Sequence, residues 1–131
     1  MLGDRLDRID LELGTLERAA RERGAEALGE QLEPAIALVA QMMRAWLENA
    51  GRAQPTADAD VLEVWKALVK GDPTWNAIRD NCRELVYYRN CLALGRTDAL
   101  PALPHRMAMR TARHIYLYIR SRAVREGLVT G

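Results

Sequence analysis

Six arginines and no carboxylate lie between Asp98 and Glu126: Arg106, Arg110, Arg113, Arg120, Arg122 and Arg125. A solvated helix ordinarily interleaves both signs and gains ion pairs three and four residues apart. At about 100° per residue, Arg106, Arg110, Arg113 and Arg120 fall within roughly 80° of one another. The opposite side is apolar, made by Ala108, Ala112, Ile115, Ile119 and Ala123. Like charges at that spacing repel unless an anion lies on them. The pattern therefore predicts an exposed band in which Arg106, Arg110, Arg113 and Arg120 contact the phosphates of RNA or single-stranded DNA. An acidic protein partner, such as the N-terminal half of another copy, and a plain surface face are the competing explanations. Met109 and Tyr116 flank the band and Leu117 lies in it, which offers a place for a base to stack.

A second polar constellation sits inside an apolar pattern. Trp75, Ile78, Cys82, Leu85, Arg89 and Leu92 recur at steps of three and four, so a buried stripe carries an arginine, with Asn90 after it and Tyr87 and Tyr88 before it. An unpaired interior guanidinium is costly, so Arg89 is expected to be largely buried and held by a carboxylate or by carbonyls. A bland role remains open for the pair, in which Arg89 and Asn90 merely cap helix carbonyls or hold a buried acid.

Other chemistries find no pattern. His105 and His114 are nine residues apart in one helix, face about 180° from each other and have no cysteine near them in sequence, so no zinc spacing exists. Both are expected at the surface or as caps. Phosphate-binding glycine loops, nucleophile elbows and paired carboxylates are absent from the sequence. No catalytic residue, metal or cofactor is predicted. Helix-turn-helix binding is disfavoured because the most basic helix follows a proline-rich loop instead of a short glycine turn.

The segment Arg89-Asn90-Cys91-Leu92-Ala93-Leu94-Gly95 resembles the Arg-Asn-x-Leu-x-His-Gly signature that ends the third helix of HEPN domains, helical bundles found in RNA-cleaving toxins and defence proteins. Arg89 and Asn90 fall on the family's conserved pair, whereas its His falls on Leu94. Without an imidazole no group with a pKa near neutrality can move the ribose proton, so the resemblance implies a catalytically dead copy. In size and class the whole chain is also similar to the small helical subunits of CRISPR effector complexes, which grip phosphates along guide and target strands without cutting. That likeness implies a non-catalytic subunit of a bacterial antiviral defence ribonucleoprotein, with other subunits as partners. HEPN-like RNase activity and a purely structural adaptor are the alternatives.

Five helical segments must position these groups. Leu2, Leu6, Ile9, Leu13, Leu16 and Ala20 form a narrow heptad seam within residues 1–28, which can cap the bundle or serve as an arm for self-association. Pro34 to Ala50 is apolar almost all round and is expected at the centre, starting at Pro34 and ending at Gly51. After the linker at residues 51–56, Thr56 or Asp58 can cap a third helix that ends at Gly71. Asp72 and Pro73 open a helix of about 22 residues that Gly95 closes. A loop with two prolines, expected to pack through Leu100 and Leu103, precedes a last helix over residues 105–126. The prediction is one all-α helical bundle spanning residues 1–131.

Composition agrees with that class. Phe is absent and 49% of the 131 residues are hydrophobic, so the core must come from Leu, Ile, Val, Ala and Met, which favours packed helices over a sheet. No apolar run reaches the roughly 18 to 20 residues a membrane span needs, and a cytoplasmic protein is expected. Cys82 and Cys91 lie about 13 Å apart along one helix, too far for a disulfide, and read as free buried thiols. The net charge of +1 conceals an asymmetry: residues 1–70 hold 13 acids and 9 bases, residues 71–131 hold 5 and 10.

Overall fold

The computed structural model describes residues 1–130 and is all-α. Its helices are α1 (Leu2–Arg23), α2 (Leu28–Asn49), α3 (Val61–Gly71), α4 (Arg79–Ala93) and α5 (Pro104–Arg125). Short 3₁₀ turns at Gly24–Ala27, Pro73–Ile78 and Thr97–Ala99 join them. All five helices contribute to one hydrophobic cluster, and α2 lies at its centre because it packs against each of the other four.

The first helix is a structural member of that cluster, so of the two roles open to its seam it packs on the bundle and is not a free arm for self-association. Leu2, Leu6, Ile9 and Leu13 are all buried, and Leu16 is half-buried against the same core. Each fully buried leucine contributes about 2 kcal/mol relative to exposure, so this seam cannot be offered to a second copy without dismantling α1. Helix α2 starts six residues before the expected proline. Leu28 and Leu32 continue its buried stripe upstream, and Pro34 sits on its exposed face, where water can take the Glu30 carbonyl that loses its donor.

The linker after α2 is fastened by polar contacts to backbone. Gly51 takes φ 68°, and the Arg44 guanidinium donates to the carbonyls of Pro55 (3.1 Å) and Thr56 (2.6 Å). Gln54 donates back to the Arg44 carbonyl at 2.9 Å. Helix α3 then begins after Asp60, later than the caps at Thr56 or Asp58 would place it. The Asp72 carboxylate accepts from the Thr74 N–H (3.1 Å) with Pro73 in the first turn, as its sequence dictates. The expected long helix is nonetheless 3₁₀ over Pro73–Ile78 and α only from Arg79. The tighter winding accompanies the complete burial of Trp75, which meets Trp46 edge-on at 5.0 Å. Gly95 at φ 67° closes α4, and the Arg96 N–H returns to the Cys91 carbonyl at 2.8 Å. In the following loop Leu100 is half-buried, but Leu103 is exposed and left-handed (φ 51°), contrary to the packing expected of it.

Among the described residues no helix is long and apolar enough to cross a membrane.

Candidate nucleic-acid interface

Helix α5 lies against α1, and the fit between them divides the predicted arginine band. The Arg120 guanidinium donates to the Asp7 carboxylate at 2.7 Å. Arg113 donates to the carboxylates of Asp10 and Glu17, the latter at 2.7 and 3.2 Å, and its carbon lies 5.2 Å from the centre of the Tyr116 ring. These partners hold both guanidiniums firmly in the charged state. Both side chains are only about one-fifth exposed, at 21% and 22%. The four arginines thus do not form one open band; two of them fasten α5 to α1.

The reason lies in the order of residues along α1. Its acids Asp7, Asp10 and Glu17 follow one another at helical spacing and meet Arg120 and Arg113 from the antiparallel α5. Beyond Glu17 that face of α1 offers Ala20 and Arg21, so the acids run out where Arg110 and Arg106 arrive. Arg21, Arg106 and Arg110 are exposed, and among the described residues none has a carboxylate within ion-pairing distance. With Glu17, Ala20 and Met109 they line a groove of about 440 Å³. Glu17 is the sole acid of that groove, and Arg113 already neutralises it. Arg21 was not among the predicted band residues. Its signal was present only as the residue that follows the last acid of α1 on that face.

The second constellation is also split. Arg89 forms a two-pronged pair with Asp60 (2.9 and 2.6 Å) and lies 3.7 Å from Glu33, with its side chain 26% exposed. Its carboxylate partner is as expected, although the site is at the edge of the core. Arg89 holds the Asp60 carboxyl below its ordinary range through their hydrogen bonds. Asn90 points elsewhere, as adjacent helical residues must, and is exposed beside Tyr87, Cys91, Leu94 and Arg96 around a cavity of about 290 Å³. Leu94 is 76% exposed.

Two polar sites in the interior went unrecognised in the sequence. Glu84 reaches inward and accepts from the Tyr88 hydroxyl (2.9 Å) and from the Thr111 hydroxyl of α5. Burial first, and then this carboxylate, push the Tyr88 hydroxyl pKa up. The Glu84/Tyr88 spacing of four was the available signal. Arg122 lies over the rings of Trp75 (4.3 Å) and Trp46 (5.4 Å) and pairs with Asp72 and, at 2.7 Å, with Glu126. Its position seven residues after Ile115 and three after Ile119 places it on the buried flank of α5.

His105 departs from the surface or capping role expected of it: it is buried, and its Nδ1 has no partner among the described residues. His114 is exposed. Cys82 and Cys91 are buried free thiols, and burial pushes the Cys82 thiol up to about 12, far from a reactive thiolate. Among the described residues no three His, Cys, Asp or Glu side chains cluster as metal ligands would.

No protein-family model, curated protein or solved structure matches this chain.

Proposed function

We propose that this chain is a non-catalytic module that grips the phosphates of RNA or single-stranded DNA, acting as a helical subunit of a bacterial defence ribonucleoprotein similar to the small subunits of CRISPR effectors. The observation that carries the reading is the groove between α1 and α5, where Arg21, Arg106 and Arg110 converge without a carboxylate of their own. Arg113, Arg120 and Arg122 of α5 are matched by carboxylates and Arg125 lies outside the groove, so the three guanidiniums left without a carboxylate gather at this one groove and favour an external anion there. Met109 and Ala20 give the groove an apolar floor against which a sugar or base can lie.

The readings with catalysis or self-assembly have less support. Arg89, which the HEPN resemblance would place in a catalytic centre, is clamped by Asp60, and Leu94 carries no proton-transfer group. The α1 seam of the adaptor reading is buried within the chain itself.

Each phosphate contact releases about 0.7 counterion from a single strand, so three arginines give a slope of log affinity against log salt near −2. Fluorescence anisotropy of a labelled single strand tests this. Arg106→Ala with Arg110→Ala should flatten the slope by about 1.4 for every base sequence alike. An unchanged slope refutes the phosphate role of this groove.

A further inference from the structure

Between α3 and α4 lies an open cleft of about 370 Å³, lined by Asp60, Leu62, Glu63, Trp65, Lys66, Arg79 and Arg83. Its charges sort themselves. Asp60 is occupied by Arg89, and Glu63 pairs with Lys66 at 3.2 Å. Arg79 and Arg83 remain, four residues apart on one exposed face of α4, and among the described residues neither has a carboxylate partner. The cleft therefore presents two unmatched positive charges although it contains two acids.

Beside them stands the one tryptophan that the fold leaves partly open. Trp46 and Trp75 are buried, at 5% and 0% exposure, whereas Trp65 is half-buried. The Trp65 indole N–H donates to the Trp75 carbonyl at 3.0 Å, which fixes the ring. The same segment that anchors it, Pro73–Ile78, leads directly into Arg79. A fixed aromatic surface beside two cations can take a planar ring and an anion from one ligand at little ordering cost.

We propose that this cleft is a nucleotide site, in which Trp65 packs on the base and Arg79 and Arg83 hold the phosphate. The site shares no residue with the α1/α5 groove and does not depend on it. Its ligand class follows from the joint requirement: a sugar phosphate lacks the ring, a nucleoside lacks the anion, and two arginines match the charge of a phosphomonoester or of two adjacent diesters.

Because Trp46 and Trp75 are shielded, quenching of indole emission by a small solute reports on Trp65. Titration of the full chain with adenosine 5′-monophosphate should quench saturably in the millimolar range. Adenosine should bind at least about tenfold more weakly, and ribose 5-phosphate should not quench. Arg79→Ala with Arg83→Ala should weaken the nucleotide by about tenfold or more while leaving the melting temperature unchanged, since neither side chain has a partner to lose. Trp65→Phe should abolish the signal but retain displacement of a labelled nucleotide. The Arg106→Ala/Arg110→Ala variant should quench as the parent does, which separates this site from the α1/α5 groove. Equal quenching by adenosine and its monophosphate, or no effect of the Arg79/Arg83 substitutions, overturns the proposal. Saturable quenching by an acidic, aromatic-containing peptide with none by the nucleotide also overturns it and assigns the cleft to a protein partner.

Discussion

Arg113→Ala should cost stability and leave strand binding nearly untouched, the reverse of what an exposed phosphate-binding band would give. Its guanidinium is 21% exposed and meets Glu17, itself 24% exposed, through two hydrogen bonds, which is the geometry worth about 1.5 to 2 kcal/mol net. The bond to Asp10, a half-exposed carboxylate, adds about 0.5 kcal/mol, and the Tyr116 ring about the same. Removal of all three, with Glu17 left partly desolvated, comes to roughly 2.5 to 3 kcal/mol. For 131 residues the unfolding entropy makes each kcal/mol about 3.6 °C, so the melting temperature should fall by roughly 9 to 11 °C. Differential scanning calorimetry measures the loss, and the salt slope of strand binding, taken well below the new transition, should match the parent's. Glu17→Gln should lose less, because Asp10 still holds the guanidinium. A fall of under about 2 °C together with a slope flattened by about 0.7 would refute the reasoning and return Arg113 to the strand.

Three further outcomes follow from other contacts. Asp72 is held at about 2, first by the Thr74 hydroxyl and then by Arg122, against an ordinary value of 3.8. A depressed carboxyl contributes stability that is present above its unfolded pKa and lost as pH falls, so the melting temperature should drop between about pH 4 and pH 2. Asp72→Asn, which keeps a capping oxygen, should flatten that part of the profile. Arg122→Lys should recover little of the roughly 2 to 4 kcal/mol lost in Arg122→Ala, because an ammonium cannot both stack on Trp75 and fork to a carboxylate; chemical denaturation would measure both. Leu13→Asp should abolish the fold, since a carboxylate cannot be accommodated at 0% exposure. Circular dichroism showing a folded monomer with the parent's melting temperature would contradict the burial of α1.

The helical class, the five segments and several of their ends were legible locally. Heptad and 3.6-residue periodicity describe how one helix divides its own faces, and Asp72, Pro73 and Gly95 act through their own backbone, so no other part of the chain is needed to read them. Pro34 misled because the rule that places proline in a first turn ignores the face on which it sits. The exposed side of α2 tolerates what its buried side would not.

Which arginines face solvent was settled only between helices. Arg106, Arg110, Arg113 and Arg120 are equivalent on the wheel of α5, and nothing within that helix distinguishes the first pair from the second. The antiparallel register of α1, whose acids end at Glu17, does so by placing carboxylates opposite one pair and Ala20 and Arg21 opposite the other. The same holds for Arg122, whose value depends on two tryptophans from distant helical segments, and for Trp65, whose ring is fixed by a carbonyl ten residues away. Periodicity assigns a side chain to a face because that depends on bond geometry alone. Whether a charge on that face is matched depends on the sum of positions from separate elements, and only their packing brings those positions together.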